Sequence, residues 1–206
     1  MQYTTLASDE VIETTVKGLA GHNFEPVVVA TKAEALAKIK ELIPAGASVM
    51  NGSSRTLEQV GFVDYLKAGQ HGWENLHEGI LAEKDPAKQA TLRRQALISD
   101  YYIGSVHALS QTGEILIASN TGSQLPHVVY SSPNVVLVVS TKKIVPTLVE
   151  ARQRLESHVV PLEDARMKEA YGMGTQLNKI VELYGENVQF TGRKIHVVLV
   201  KEDLGF

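Results

Sequence analysis

The sequence predicts a three-layer α/β fold, with a mainly parallel sheet covered by helices on both faces. Segments such as "EPVVVA" (25–30) and "NVVLVVS" (134–140) are continuously apolar, which is typical of strands buried on both faces. Segments with helical periodicity alternate with these strands along the chain. The 206 residues, of which 44% are hydrophobic and 21% charged, suit a single α/β domain over 1–206.

Each main predicted helix begins at a residue whose side chain can cap free backbone N–H groups. These starts are Ser8 for a helix over 8–20, Thr31 with Glu34 for 31–43, and Asp85 with Pro86 for a helix that runs to about Ser99. Helical periodicity also covers 57–69, 145–158 and 161–172. We expect residues 1–24 to form an N-terminal helical extension.

Four further segments have the composition of strands: "ASVMN" (47–51), "YYIGSVHA" (101–108), "EILIAS" (114–119) and "KIHVVLV" (194–200). We expect the strands that end at Met50, Ser119 and Ser140 to lie in one mainly parallel sheet. Ligands of such sheets bind beyond the carboxyl ends of the strands, so the loops that follow these strands are the first candidates for a site.

Composition excludes several classes of function. The net charge is −3 and the basic residues are scattered, which argues against nucleic-acid binding. No apolar run reaches the roughly 20 residues of a membrane span, and the first residues are polar, so we expect a cytoplasmic protein. Cysteine is absent, which removes thiol chemistry and cysteine-ligated metals. His71 and His77 match no metal-site spacing, so no metal is predicted.

The first candidate loop follows the strand "ASVM" and contains the residues Gly52, Ser53, Ser54, Arg55 and Thr56. Its glycine allows close backbone approach, its hydroxyls offer hydrogen bonds, and Arg55 could pair with an anion. The alternative is that Ser53 or Ser54 only caps the helix that follows.

The second candidate loop follows "EILIAS" and contains Asn120, Thr121, Gly122, Ser123 and Gln124. Gly122 permits a turn that a residue with a Cβ resists, and the neighbouring side chains could hold polar ligand groups. A helix is predicted after it, whose first N–H groups would attract an anion. Alone, the segment could be a surface turn; as a ligand cradle, it must share one cavity with Gly52–Thr56.

Three further residues are candidates for chemistry. His107 lies between two strand patterns and could act as an acid or base near neutral pH, or be a structural histidine under the loops. Glu114 could be a catalytic carboxylate, although the preceding "TG" also marks a hairpin turn. Lys142 or its neighbour Lys143, in the "TKK" that follows the third strand, could reach a phosphate, or the pair could be a solvated corner; Lys142 is the candidate of the two.

Several segments together resemble the lactate-utilisation, or LUD-domain, family. They are "SVHA", "QTGE", "NTGSQ", "NVVLVVS", "TKKIV", "NGSSRTLEQVG" and the closing "RKIHVVLVKEDLGF". The resemblance spans most of residues 25–206. It implies the fold shared by ribose-5-phosphate isomerase, glucosamine-6-phosphate deaminase and the CoA transferases. His107 stands where relatives often have asparagine.

The resemblance implies a small anionic ligand, phosphorylated or similar to CoA or folate, held between the two loops in a protein of lactate or organic-acid metabolism. The alternative is a non-catalytic subunit that docks on iron–sulfur redox partners, because LUD proteins are associated with such partners in lactate oxidation. Without cysteine this chain cannot hold the cluster itself. Homo-oligomers are common in the superfamily, and the sequence specifies neither a cofactor nor a catalysed reaction.

Overall fold

A computed structural model describes residues 3–206 as an α/β protein built on a six-stranded parallel sheet, here called the main sheet. Its strands are β1 (Glu25–Val29), β2 (Ser48–Asn51), β3 (Glu74–Asn75), β4 (Tyr101–Gly104), β7 (Asn134–Ser140) and β10 (Lys194–Val200). Their order across the sheet is β1-β10-β7-β4-β2-β3, and every neighbouring pair is parallel. The predicted parallel sheet is therefore confirmed.

A second sheet of four strands corrects one expectation. It contains β5 (Ala108–Ser110), β6 (Ile115–Ser119), β8 (Ile144–Val145) and β9 (Lys179–Leu183), in the order β8-β5-β6-β9. The prediction that the strand ending at Ser119 lies in the main sheet is wrong. The turn at Gln111–Gly113 joins β5 to β6, and so short a turn can connect only antiparallel neighbours.

Nine helices are described in residues 3–206. They are α1 (Asp9–Gly21), α2 (Lys32–Leu42), α3 (Arg55–Val60), α4 (Phe62–Lys67), α5 (Leu76–Ala82), α6 (Pro86–Gln95), α7 (Leu148–Arg154), α8 (Val160–Tyr171) and α9 (Val188–Thr191). The predicted caps Ser8, Thr31 and Asp85 all accept hydrogen bonds from N–H groups in the first turn. None of these helices is long and apolar enough to cross a membrane.

The helices α7 and α8 form one continuous rod through a π-helical turn at Leu155–Val159. The sequence predicts two separate helices here, because Pro161 cannot donate the backbone hydrogen bond of a helix interior. The wider π turn just before Pro161 accommodates the missing bond, so the helix continues.

Apolar residues of the main sheet alternate between its two faces. In β7, Val135, Leu137 and Val139 point into a core shared with α1 and the second sheet. Val136 and Val138 point to the other face, into a core that includes residues of α2, α3 and α4. A third apolar cluster lies between the outer face of the second sheet and the α7–α8 rod.

Helix α1 is part of the main core, since Ile12 and Leu19 are buried there. At Gly18 the helix meets the hairpin between β5 and β6, where a Cβ atom would lie only 2.7 Å from the carbonyl carbon of Thr112. Of the expected extension over 1–24, residues 1 and 2 lie outside the described part of the chain.

Candidate functional site

A cavity of about 460 Å³ opens beyond the carboxyl ends of β2, β4 and β6. Both candidate loops line it, together with residues of the α7–α8 rod and Phe206. The loops nearly touch, because a Cβ atom at Gly52 would lie 3.8 Å from Cβ of Gln124. The volume of the cavity is in the range of small-molecule binding sites.

The predicted site residues divide into two groups. Those that line the cavity are Gly52, Ser53, Ser54, Arg55, Thr56, His107, Asn120, Thr121, Ser123 and Gln124. Those outside its lining are Glu114, Gly122 and Lys142. The loops therefore do share one cavity, as the cradle hypothesis requires.

In the first loop, the simple capping interpretation is right for one residue. The Ser54 hydroxyl accepts a hydrogen bond from Leu57 N at 3.3 Å and caps α3. Arg55 lies at the cavity mouth, with half of its side chain exposed, and pairs with Glu58 at 3.0 Å. Thr56 is buried, and it forms part of the cavity wall.

The second loop is closed by its own hydrogen bonds. Ser119 Oγ accepts from Gly122 N at 2.8 Å and donates to Gln124 Oε1 at 2.9 Å. Gly122 has a φ of +87°, and a Cβ there would lie 2.7 Å from the Lys179 side chain, so glycine is required. The helix expected after this loop is only a π turn at His127–Ser131, which is too short to provide the expected anion site.

The cavity lysine is Lys143 and not Lys142. Lys142 is held outside the cavity by the carboxylate of Asp203 and the carbonyl of Gly205. Lys143 Nζ donates to Thr56 Oγ1 at 3.0 Å, to Ser105 Oγ at 3.1 Å and to the Val106 carbonyl at 3.1 Å.

Lys143 is buried among neutral partners. Within residues 3–206, no carboxylate forms an ion pair with it. Burial, followed by the positive charges of Arg154 and Lys142, lowers the pKa of Lys143 to about 7. An ammonium group that loses water without gaining a carboxylate is costly, so the site favours either the neutral amine or an anion nearby.

Arg154 adds a second buried cation close to Lys143. Its side chain is fully buried, and its Nη1 donates to the His107 carbonyl. Nε and Nη2 have no hydrogen-bond partner in the part of the chain that is described. Burial lowers the pKa of Arg154 to about 10, which still leaves it charged at neutral pH.

The His107 ring accepts a hydrogen bond from the backbone, and its surroundings disfavour the charged imidazolium form. Its Nδ1 accepts from Ala118 N at 3.0 Å, which places the ring proton on Nε2. Burial and the charges of Lys143 and Arg154 lower the pKa of His107 to about 3. The expected acid–base role near neutral pH is therefore not supported, although the ring does line the cavity.

An aromatic pair forms another part of the cavity wall. The rings of Tyr102 and His127 stack with 4.7 Å between their centroids. His127 Nδ1 is 2.9 Å from Ser132 Oγ, and burial lowers the pKa of His127 to about 4. Burial raises the pKa of the Tyr102 phenol, which therefore stays protonated.

A buried arginine holds this aromatic pair in place. Arg193 donates to the carbonyls of His127, Val128 and Val129 in the π turn and to that of Ser132, which follows it. It also pairs with Glu186 at 2.6 Å.

Four cations line the cavity against one carboxylate, Glu163. Two of the cations are paired: Arg55 with Glu58, and Arg166 with Glu163 at 2.6 Å. Lys143 and Arg93 form no ion pair within the described residues, and Arg93 bonds only to Gln89 at 3.1 Å. The cavity thus has an uncompensated positive charge that suits an anion.

Glu114 lies at the β5–β6 hairpin, away from the cavity. Its carboxylate accepts from Ser110 and from Thr112, and these hydroxyls lower the pKa of Glu114 against the opposing effect of burial. The Glu114 carboxylate therefore stabilises the hairpin turn through these hydrogen bonds. Among residues 3–206, no group of three or more His, Asp or Glu side chains is arranged to hold a metal ion.

Sequence reasoning considered Lys142 and Lys143 but chose Lys142, and it missed Tyr102, His77 and Arg93 as cavity residues. His77 Nδ1 lies 3.0 Å from the Asn51 carbonyl, and burial lowers the pKa of His77. Lys143 could have been found from its position, since it follows the carboxyl end of β7 at the ligand-binding edge of the sheet. Arg93 has no comparable signal in the sequence, because it lies within helix α6 and does not follow the carboxyl end of a strand.

Comparisons with known proteins agree with this architecture. The family model described as the LUD domain matches residues 12–200. The structure is similar to a crystal structure, at 1.70 Å resolution, of a DUF162 family protein from Deinococcus radiodurans. The TM-score is 0.58 and the sequence identity 14%, over 95% of this chain and 99% of that one, which supports the fold alone. No curated protein matches the chain.

Proposed function

The chain belongs to the LUD-domain family, and we propose that it binds a small anionic metabolite in the cavity between its two polar loops. Membership of the family supports a role related to lactate utilisation. The ligand's anionic group, a carboxylate or a phosphate, lies near Lys143 and Arg93 in this proposal.

The observation that carries the proposal is the burial of Lys143 without an ion-pair partner among the described residues. Its amine is buried at the cavity wall, and its three hydrogen-bond partners are neutral oxygens. A buried charge without a counter-charge is unfavourable. An anion in the cavity would supply that counter-charge and regain part of the desolvation cost.

Arg154 supports the same proposal from behind the cavity wall. It is also buried without an ion pair, and its positive charge adds to that of Lys143. The neutral His107 ring at the wall can donate its Nε2–H to an anionic oxygen.

Isothermal titration calorimetry with inorganic phosphate, oxalate, a sugar phosphate, CoA and a folate tests the proposal. Lys143→Met should weaken binding of the preferred anion about tenfold or more, because a hydrogen bond to a charged group contributes about 1.5–3 kcal/mol. Lys142→Met is the matched control, since it removes the adjacent lysine, which is held outside the cavity by Asp203.

Two results would count against the proposal. One is that none of these anions binds to the wild-type protein. The other is that Lys142→Met and Lys143→Met weaken binding equally, since Lys143 would then contribute no more to anion binding than a lysine outside the cavity. Thermal unfolding of each variant, recorded in parallel, identifies any loss that comes from misfolding.

A further inference from the structure

Lys143 has the surroundings of an amine that can react as a nucleophile. A lysine attacks a carbonyl carbon only when it is uncharged, and burial beside another cation favours that state. Lys143 is 4% exposed, the positive charge of Arg154 acts on it, and no carboxylate within residues 3–206 forms an ion pair with the amine. Lys142, with Asp203 as its partner, lacks these conditions.

The hydrogen bonds around Nζ allow both protonation states. The charged amine donates its three hydrogens to Thr56 Oγ1, Ser105 Oγ and the Val106 carbonyl. Ser105 Oγ donates its one hydrogen to the Val138 carbonyl at 2.7 Å and accepts from Lys143. Thr56 Oγ1 accepts from Lys143 and lies 3.3 Å from Ser105 Oγ, towards which its own hydrogen can point while Nζ is charged. When Nζ is neutral, that hydroxyl can turn and donate to it.

We propose that Lys143 forms an imine with a small aldehyde or ketone that also carries a carboxylate or phosphate group. This inference rests on the proposed anion site and names the substrate class of that site. Arg93, the other lining cation without an ion pair among the described residues, attracts the anionic group in this proposal, while the carbonyl group meets Nζ.

The step is balanced without a further reagent. The lone pair of Nζ forms a C–N bond to the carbonyl carbon, and the carbonyl oxygen takes up a proton, which gives a carbinolamine. Loss of that hydroxyl with a proton from nitrogen releases water and forms the C=N bond. The hydroxyls of Thr56 and Ser105, which already contact Nζ, can hydrogen-bond the departing hydroxyl group.

Reductive trapping tests the inference directly. The full-length protein is incubated with glyoxylate, pyruvate or glyceraldehyde 3-phosphate and reduced with sodium cyanoborohydride, and the adduct is located by peptide mass spectrometry. With one or more of these probes, Lys143 of the wild-type protein should gain the mass of the probe less one oxygen atom. Propanal, a carbonyl compound without an anionic group, should label Lys143 less than the preferred anionic probe does.

Variants separate Lys143 from its neighbour. Lys143→Arg should lose the adduct, and Lys142→Arg should retain it at Lys143. Because the adduct is also mapped in the wild-type protein, the inference does not depend on the folding of either variant. Labelling spread over surface lysines without preference for Lys143, or equal labelling by propanal, would overturn it.

Calorimetry with oxalate, an anion without a reactive carbonyl group, distinguishes failure of this inference from failure of the proposed function. Oxalate binding without any trapping at Lys143 overturns the imine and leaves the anion site. Absence of both overturns both. Oxalate that binds and also slows trapping by glyoxylate supports the two together.

Discussion

Gly52 and Tyr102 are in such close contact that the chain has no room for a side chain at position 52. A Cβ atom built on Gly52 would lie 2.5 Å from the Tyr102 hydroxyl oxygen, and 3.7 Å from the ring carbon that carries it. Only the hydroxyl therefore excludes a methyl group at this position. The contact joins the first candidate loop to β4 and, through the stacked ring of His127, to the turn after the second loop.

This contact predicts that Tyr102→Phe rescues Gly52→Ala. The single Gly52→Ala change should lower the free energy of unfolding by about 1–3 kcal/mol, as overpacking commonly does. The double variant should recover most of that loss, because the clashing oxygen is gone. Chemical denaturation of the wild type, both single variants and the double variant measures the coupling, and strictly additive effects would contradict it.

The lowered pKa of Lys143 predicts how the free energy of unfolding changes between neutral and alkaline pH. Its pKa is about 7 in the folded protein and 10.5 as the ordinary value, so between these values the unfolded chain binds one more proton than the folded one. The free energy of unfolding should therefore rise with pH across this window, by up to about 1.4 kcal/mol per pH unit from this group.

Lys143→Met should remove that contribution. Urea denaturation between neutral and alkaline pH should give a smaller slope for this variant than for the wild type. Lys142→Met is the matched lysine deletion, and identical slopes for Lys143→Met and the wild type would show that the amine is not desolvated as described.

The lowered pKa of His107 predicts how the stability of the protein changes at acidic pH. Its pKa is about 3 in the folded protein against an ordinary 6.5, so the unfolded chain takes up the extra proton between these values. Stability should fall as the pH drops through this window. His107→Asn should make the fall shallower by up to about 1.4 kcal/mol per pH unit. A wild-type slope in the variant, measured by thermal or urea unfolding, would contradict the burial of a neutral imidazole.

Arg55 is expected to matter less for binding than its sequence position indicates. The loop pattern alone predicts about a tenfold loss of affinity for an anion in Arg55→Ala, from one charge-assisted hydrogen bond. The structure shows a half-exposed side chain already paired with Glu58, so we expect a loss below about 1 kcal/mol. Glu58→Gln should tighten binding, because it releases Arg55. Calorimetry with inorganic phosphate measures both, and a full tenfold loss in Arg55→Ala would favour direct contact.

Ser123→Ala should have a modest effect. Its hydroxyl accepts from Thr121 Oγ1 at 3.2 Å and lines the cavity, so the expected loss of affinity is on the order of 1 kcal/mol. The same titration measures it. A larger loss, without a change in thermal stability, would place the anionic group at the second loop rather than near Lys143.

Arg193 should be essential for the aromatic wall of the cavity. Arg193→Met leaves Glu186 buried without a counter-charge and four carbonyls without their donor. We expect a loss of about 3–5 kcal/mol in the free energy of unfolding. Glu186→Gln keeps a hydrogen-bond acceptor and should cost less. Equal losses in the two variants would show that the carbonyl contacts contribute little.

The features predicted correctly from the sequence depend on neighbouring residues in the chain. Ser8, Thr31 and Asp85 cap helices because each cap bonds to N–H groups within the next few residues. The buried strands β7 and β10 are recognisable because their continuous apolar runs suit a sheet covered on both faces. The two candidate loops could be identified because each directly follows a strand.

The choice between Lys142 and Lys143 shows what the sequence could not provide. The two side chains are identical and adjacent, and the 3₁₀ turn at Thr141–Lys143 points them to different partners. Those partners, Asp203 for one and Thr56 for the other, come from segments that are far apart in the sequence. Only the folded arrangement decides which amine keeps a carboxylate and which is buried without one.

The sequence by itself determined the α/β class, the helix starts and the candidate loops, because local hydrogen bonding and hydrophobic periodicity are encoded within short segments. The tertiary structure decided that β6 lies in a second sheet and that His107 accepts from Ala118 N beside two buried cations. It also decided that Lys143, and not Lys142, lines the cavity. These properties depend on burial and on charges brought together from distant segments, and both arise only when the chain has folded.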